Sequence, residues 1–200
     1  MKKNILAIVL IISVNNIASA QFIIGPKVGL NISKEYYAGI ELVNAGNEDI
    51  KYKTGINIGI FGKYVMGSRF DLQAELLYSQ QGFKQNISLA DYGGIIDVDE
   101  YKFSSQYFNI PLILKFYPLK SIYIEVGPQV GLYLKSTSGF VGYSRDYKTM
   151  DFSLIGGIGT NIGYGLSINA RYNHGLTQIL PSDWKNRVFQ ISLTYDLCNF

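Results

Sequence analysis

The run Phe70-Asp-Leu-Gln-Ala-Glu-Leu-Leu-Tyr-Ser-Gln-Gln-Gly-Phe-Lys84 decides the fold. Every even position from Phe70 to Tyr78 is apolar or aromatic (Phe70, Leu72, Ala74, Leu76, Tyr78). The odd neighbours Asp71, Gln73, Glu75 and Ser79 are polar, and Leu77 is the exception. A period of two describes a strand with two unlike faces. Here the apolar face begins and ends with an aromatic, as when one face meets lipid and the other a polar lumen. Hydrocarbon offers no partner to an exposed backbone edge, so such a strand belongs to a closed barrel.

The same alternation recurs along the chain and predicts eight strands. They lie near Phe22–Lys34, Lys51–Val65, Phe70–Lys84, Phe103–Tyr117, Ser121–Leu134, Asp151–Ile162, Leu166–Gly175 and Arg187–Leu197. Their connections alternate in length. Met66-Gly-Ser68, Pro118-Leu-Lys120 and Gly163-Tyr-Gly165 are short, whereas Glu35–Ile50, Gln85–Lys102, Lys135–Met150 and Leu176–Asn186 are long. Short periplasmic turns against long external loops are the rule for outer-membrane barrels, so both termini are expected in the periplasm. Aromatics on the lipid phase then fall into two belts. Phe22, Tyr64, Phe70, Phe116 and Tyr195 lie at the terminal side; Tyr52, Tyr78, Phe108, Phe152, Tyr172 and Phe189 lie at the other. The expected fold is all-β: an eight-stranded antiparallel transmembrane β-barrel.

The ends of the chain agree with export. Lys2 and Lys3 precede an apolar run, Ile5 to Val14, and the small-residue triplet Ala18-Ser-Ala20, which together read as a cleavable signal peptide over 1–20. A barrel domain over 21–200 follows. The run is too short for a spanning helix, which needs about 20 apolar residues. Phe200 resembles the terminal aromatic of outer-membrane barrels, although it is out of phase with Phe189, Ile191, Leu193, Tyr195 and Leu197. Without Lys2 and Lys3 the 18 basic residues fall to 16 against 15 acidic ones, a balance that gives no reason to expect nucleic acid. The single cysteine, Cys198, excludes an internal disulfide framework.

Several segments carry a resemblance: Gly25-Pro-Lys-Val-Gly-Leu-Asn-Ile-Ser33, Glu75-Leu-Leu-Tyr-Ser-Gln-Gln-Gly82, Tyr107-Phe-Asn-Ile-Pro-Leu-Ile-Leu-Lys115, Gly127-Pro-Gln-Val-Gly131, Gly157-Ile-Gly159 and Ala170-Arg-Tyr-Asn-His-Gly-Leu-Thr177. In this order they resemble the PorT-like outer-membrane β-barrel family of Bacteroidota. The resemblance implies an eight-stranded barrel, and the named member assists type IX secretion. It does not imply a chemistry, because members share a wall pattern and differ in their loops.

Candidate sites are few. Eight strands leave an interior just wide enough for side chains. Glu75, Glu125 and Arg171 share the lumen phase at similar depths, and charges in so narrow a space must be paired. They read as a structural plug in preference to a gate or proton path. His174, the only histidine, excludes a histidine-rich metal site and lies on the lipid phase near the far end of its strand. A surface lipid-modifying hydrolase is the alternative reading, with Ser182 as nucleophile and Asp183 as orienting carboxylate. The weightier reading of His174 is an interfacial polar residue beside Tyr172. Asp91, Asp97, Asp99 and Glu100 form an acidic second loop without EF-hand spacing, so weak calcium binding ranks below a solvated loop. The run Gly156-Gly-Ile-Gly-Thr-Asn-Ile-Gly163 fails the phosphate-loop spacing and precedes a strand, so it reads as wall glycines.

The expectation is therefore a non-enzymatic barrel with no cofactor and no metal. Its partners are outer-membrane lipids and a protein of the envelope or of a secretion system. A diffusion porin is disfavoured, since an open pore needs around 16 strands.

Overall fold

Alternation gives each wall strand two faces, and closure decides what each face meets. The computed structural model describes residues 21–37, 50–91, 94–138, 148–178 and 184–200. Among them run β1 (Phe22–Tyr37), β2 (Ile50–Val65), β3 (Phe70–Asp91), β4 (Gly94–Phe116), β5 (Ile122–Ser138), β6 (Met150–Gly163), β7 (Leu166–Gly175), β8 (Trp184–Tyr195) and the two-residue β9 (Cys198–Asn199). Each of the first eight strands pairs antiparallel with its chain neighbours, and β8 returns to β1, so the wall is an eight-stranded closed barrel.

The registers fix its dimensions. A row started at Phe22 passes through Tyr64, Leu72, Leu114, Val126, Gly156, Tyr172 and Phe189, and meets β1 again at Ile32, ten residues further along. With strands about 4.8 Å apart and about 3.3 Å per residue, that stagger needs a tilt of about 40°. Along β1 the outward residues Phe22, Ile24, Val28, Leu30 and Ile32 are exposed apolar side chains. Ten residues at that tilt rise about 25 Å, the height of an outer-membrane apolar band. The aromatic belts bracket it: Phe22 faces Tyr64 and Phe70 meets Phe116, ring centroids 5.2 Å apart, at one rim. Tyr78 pairs with Phe108, and Tyr172 with Phe189, toward the other.

One expected loop is a strand pair. β3 continues to Asp91 and β4 begins at Gly94, so most of Gln85–Lys102, read as a loop, lies in two paired strands. β3 pairs with β2 only up to Gln85, and β4 pairs with β5 only from Phe103 onward. Beyond those points, among the described residues, the two strands pair with each other and form a hairpin arm. The reason is legible in retrospect: Ile87 and Leu89 alternate on one side of Gly93-Gly94, and Ile96 and Val98 on the other. A Gly-Gly dipeptide between alternating runs is a hairpin signal.

The seam between the chain ends carries a register shift. Along β8, Leu193 opposes Val28 and Thr194 opposes Lys27. Beyond Asp196 and Leu197 the pairing moves by one residue, so Cys198 opposes Ile24 and Asn199 opposes Ile23. Phe22 and Phe200 then exchange backbone hydrogen bonds of 3.1 and 2.8 Å. One inserted residue moves a side chain to the other face. Phe200, out of phase by sequence, thereby joins Phe22 on the lipid side. Gly25 lies where the seam is tightest: a Cβ there would stand 1.8 Å from the Tyr195 carbonyl oxygen.

Leu112, 47 % exposed on the lipid face, should tolerate charge poorly. Leu112→Arg is expected to cost about 2–4 kcal/mol in folding equilibria measured in lipid vesicles, whereas Met66→Arg, in a short turn outside the band, costs about 0–1 kcal/mol. Equal costs would contradict the lipid-face assignment. Gly25→Ala is expected to lower the unfolding temperature in detergent, while Gly156→Ala, whose Cβ meets nothing within 4 Å, leaves it unchanged.

Candidate functional site

The lumen-facing residues are mostly polar and almost wholly buried, and they fill the interior in tiers. At the short-turn rim Lys63 and Asp196 form an ion pair of 2.8 Å, and the Tyr117 hydroxyl donates to Asp71 at 2.8 Å. Asp196 continues the inward phase of Gln190, Ser192 and Thr194 and precedes the register shift.

The next tier holds the charge cluster. Arg171 on β7 donates to both oxygens of Glu75 on β3, Nη1 to Oε2 at 2.8 Å and Nη2 to Oε1 at 2.7 Å. Its Nε donates to Glu125 on β5, and Nη2 also reaches Glu125 Oε2 at 3.1 Å. Lys27 on β1 reaches Glu75 with its Nζ at 3.2 and 3.0 Å, and Gln73 Nε2 donates to Glu75 at 2.5 Å. The side chains of Lys27, Glu75, Glu125 and Arg171 expose nothing to solvent. Lys115, also buried, sits with its Nζ 4.3 Å from the centroid of the Tyr123 ring and is the register partner of both Asp71 and Glu125.

The structure thus brings Glu75, Glu125 and Arg171 into direct contact. Sequence reading missed Lys27 and Lys115 as members. Both show the lumen phase inside the apolar band, which was the available signal. Which residues meet across the barrel depends on the stagger, and phase alone does not give it.

The glycine run on β6 makes room for this tier. A Cβ on Gly157 would stand 2.9 Å from Glu125 Oε1, and one on Gly159 would stand 2.3 Å from the Tyr123 ring. The glycines are therefore wall residues across from large lumen side chains, not a phosphate loop.

Above lies an amide tier. Asn57 donates to Asn31 at 2.7 Å, Asn31 to Ser79 at 3.0 Å, Gln190 to Asn31 at 3.0 Å and Ser192 to Asn57 at 3.2 Å. Toward the long-loop rim Phe83 and Phe103 stack inside the barrel, centroids 4.7 Å apart. Asn186 and Thr177 donate to Asp151 at 3.0 and 2.7 Å. Leu77, Phe61, Ile113, Ile155 and Val188, all buried, occupy the gaps between these groups. Ion pairs, amides and stacked rings thus occupy successive heights of the lumen.

The family model described as outer membrane protein beta-barrel domain matches residues 15–180. The chain belongs to that family. The protein is accordingly an outer-membrane β-barrel, as its lipid face and closed registers require. Among solved structures, Neisserial surface protein A is similar at a TM-score of 0.58 and 10 % identity, over 87 % of this chain and 97 % of that one. The outer membrane protein OprG from Pseudomonas aeruginosa is similar at 0.54 and 12 % identity, over 90 % and 96 %. At such identities the likeness shows the fold alone. No curated protein matches the chain significantly.

His174 sits on the outward phase of β7, opposite Leu154 and Arg187, with its ring 6.2 Å from that of Tyr172. Ser182 and Asp183, its candidate partners for hydrolysis, lie outside the described residues. Asp91, Asp97 and Asp99 and Glu100 fall on the β3–β4 arm and not in a loop. Among the described residues no group of three His, Cys, Asp or Glu side chains is placed to hold a metal.

Arg171→Ala would remove the cation that Glu75 and Glu125 share and leave both carboxylates buried. It is expected to cost about 3–5 kcal/mol, because each stranded charge keeps its desolvation penalty. Lys120→Ala, an exposed turn residue, should change stability by about 0.5 kcal/mol or less. Unfolding in detergent micelles, followed by tryptophan fluorescence and gel mobility, measures both, and equal effects would exclude a structural role for the cluster.

Proposed function

We propose that the protein is a non-enzymatic outer-membrane barrel that works through its rims and its β3–β4 arm, as a structural or interaction module. The observation that carries this reading is the charge cluster. Arg171 ties β7 to β3 and β5 across the lumen, and Lys27 adds β1. Four of the eight strands are thus held together by ion pairs whose side chains expose nothing to solvent. A plug of this kind removes the lumen as a working surface and leaves the ends of the barrel. The termini face the periplasm, residues 1–20 serve as the export signal, and the long loops with the β3–β4 arm face outward.

The rims and the arm are the parts that a protein partner in the envelope would engage. The PorT-like motifs favour an accessory role in secretion or envelope assembly, and outer-membrane lipids are the constant partners of the wall.

In planar bilayers the wild-type protein is expected to give no large steady conductance. A stable open channel would overturn the sealed-lumen reading in favour of a porin. A protease site inserted within 139–147 should be cleaved on intact cells, while one at Gly67-Ser68 should be protected. The reverse pattern would invert the proposed topology. Deleting the gene should impair secretion or envelope integrity without altering passive uptake of small solutes, and an unaltered envelope and secretome would remove the accessory role.

A further inference from the structure

We propose that the outward face of β7, β8 and β1 carries a binding site for a phosphate-bearing glycolipid of the outer leaflet, with Lys34, Arg187 and His174 as its headgroup clamp. The first observation is register. Arg187 on β8 is opposite Lys34 on β1 and opposite His174 on β7, so three basic residues occupy one unbroken row on adjacent strands. All three stand on the outward phase of the wall. At about 4.8 Å between strands the row is about 10 Å long, the width of one lipid headgroup.

The second observation is what lies beneath. The next outward row toward the bilayer centre is Tyr172, Phe189 and Ile32, again in register. Together with Tyr52 and Arg187 these residues line a groove of about 360 Å³ on the outer surface. Lys34 Nζ lies 5.6 Å from the Tyr52 ring at one end of the row, and His174 lies beside Tyr172 at the other.

Height identifies the ligand. The apolar residues from Phe22 to Ile32 span the hydrocarbon band, and Lys34 is the first outward residue of β1 beyond it. Lys34 and Arg187 therefore sit at headgroup level, and His174, about 6 Å lower along the tilted row, sits at its boundary with the acyl chains. A guanidinium matches phosphate oxygens in pairs, and a neighbouring ammonium adds a point charge. A ligand that needs both an anionic head and an apolar slot directly below it is an amphiphile. A soluble anion would make no use of the groove. A stable protein partner would bury roughly 800 Å² per side, far more than this groove presents. On the far side of His174 the row ends, because its partner on β6 is the apolar Leu154.

The assignment to the outer leaflet rests on the outward orientation of the long-loop rim proposed above. The test uses the full-length protein purified in detergent, incubated with a bisphosphorylated disaccharide lipid or with its dephosphorylated counterpart, and scored for lipid retained by native mass spectrometry. Wild type is expected to retain the phosphorylated lipid, and Lys34→Gln combined with Arg187→Gln should weaken retention about tenfold or more. The dephosphorylated lipid should bind wild type and variant alike. Arg187 is exposed and Lys34 half-buried on the outer face, and Arg187→Gln alone, with an intermediate loss, guards against misfolding. Equal retention by wild type and variant overturns the site. Displacement by inorganic phosphate as effectively as by the lipid overturns the lipid as source. A protease site within 139–147 on the same protein in cells separates the readings: protection there overturns the outer-leaflet assignment, while cleavage with equal retention overturns the site alone.

Discussion

A sheet in hydrocarbon can leave no edge, and every other property of this protein follows from how that demand is met. An unpaired backbone group in lipid costs several kcal/mol, so β1 must find β8. It does so with a ten-residue stagger, which sets the tilt, the height of the apolar band and the width of the lumen. The last stretch closes by a different register, with Cys198 and Asn199 shifted by one residue. That shift returns Phe200 to the lipid side, while Asp196, just before it, keeps the inward phase of β8 and pairs with Lys63. The seam is therefore a local solution at the chain ends to a constraint imposed on the whole wall.

Closure at eight strands leaves a bore that side chains fill, and the interior must then satisfy its own polar groups. The protein answers with complementary tiers. Bidentate contacts between Arg171 and Glu75 hold opposite walls, and the Asn31 tier ties β1, β2, β3 and β8. A buried ion pair is weak evidence for net stability, but breaking one strands a charge. The cluster thus specifies which strands face each other more than it adds to stability. The same filling is why we propose that function lies at the surfaces that remain: the rims, the arm and the lipid-facing wall.

Much of this was legible in the chain, because a period of two separates lipid from lumen without any knowledge of the fold. Phe70 to Tyr78 alone give both faces of a wall strand, and the phases of Glu75, Glu125 and Arg171 point them inward. What sequence did not yield depends on register. Lys27 and Lys115 showed the right phase, but only the stagger places Lys27 against Glu75 and Lys115 between Asp71 and Glu125. The row of Lys34, Arg187 and His174 was hidden for the same reason, since its members lie on strands far apart in sequence. The β3–β4 arm was missed because its acidic residues favoured a loop, although Gly93-Gly94 between alternating runs carried the hairpin signal. The phase of Phe200 was a real discrepancy. It marks the register shift, which no pattern within a single strand reveals.

The seam can be tested covalently with the native cysteine. In the shifted register Cys198 opposes Ile24, and in an unshifted one it would oppose Ile23. Opposed residues on antiparallel strands lie about 4.5–5.5 Å apart at Cα, within disulfide reach. Mild oxidation of the folded protein in lipid should therefore cross-link Ile24→Cys to Cys198 in high yield and Ile23→Cys poorly. Efficient cross-linking of Ile23→Cys, or of neither, would contradict the closed seam described here.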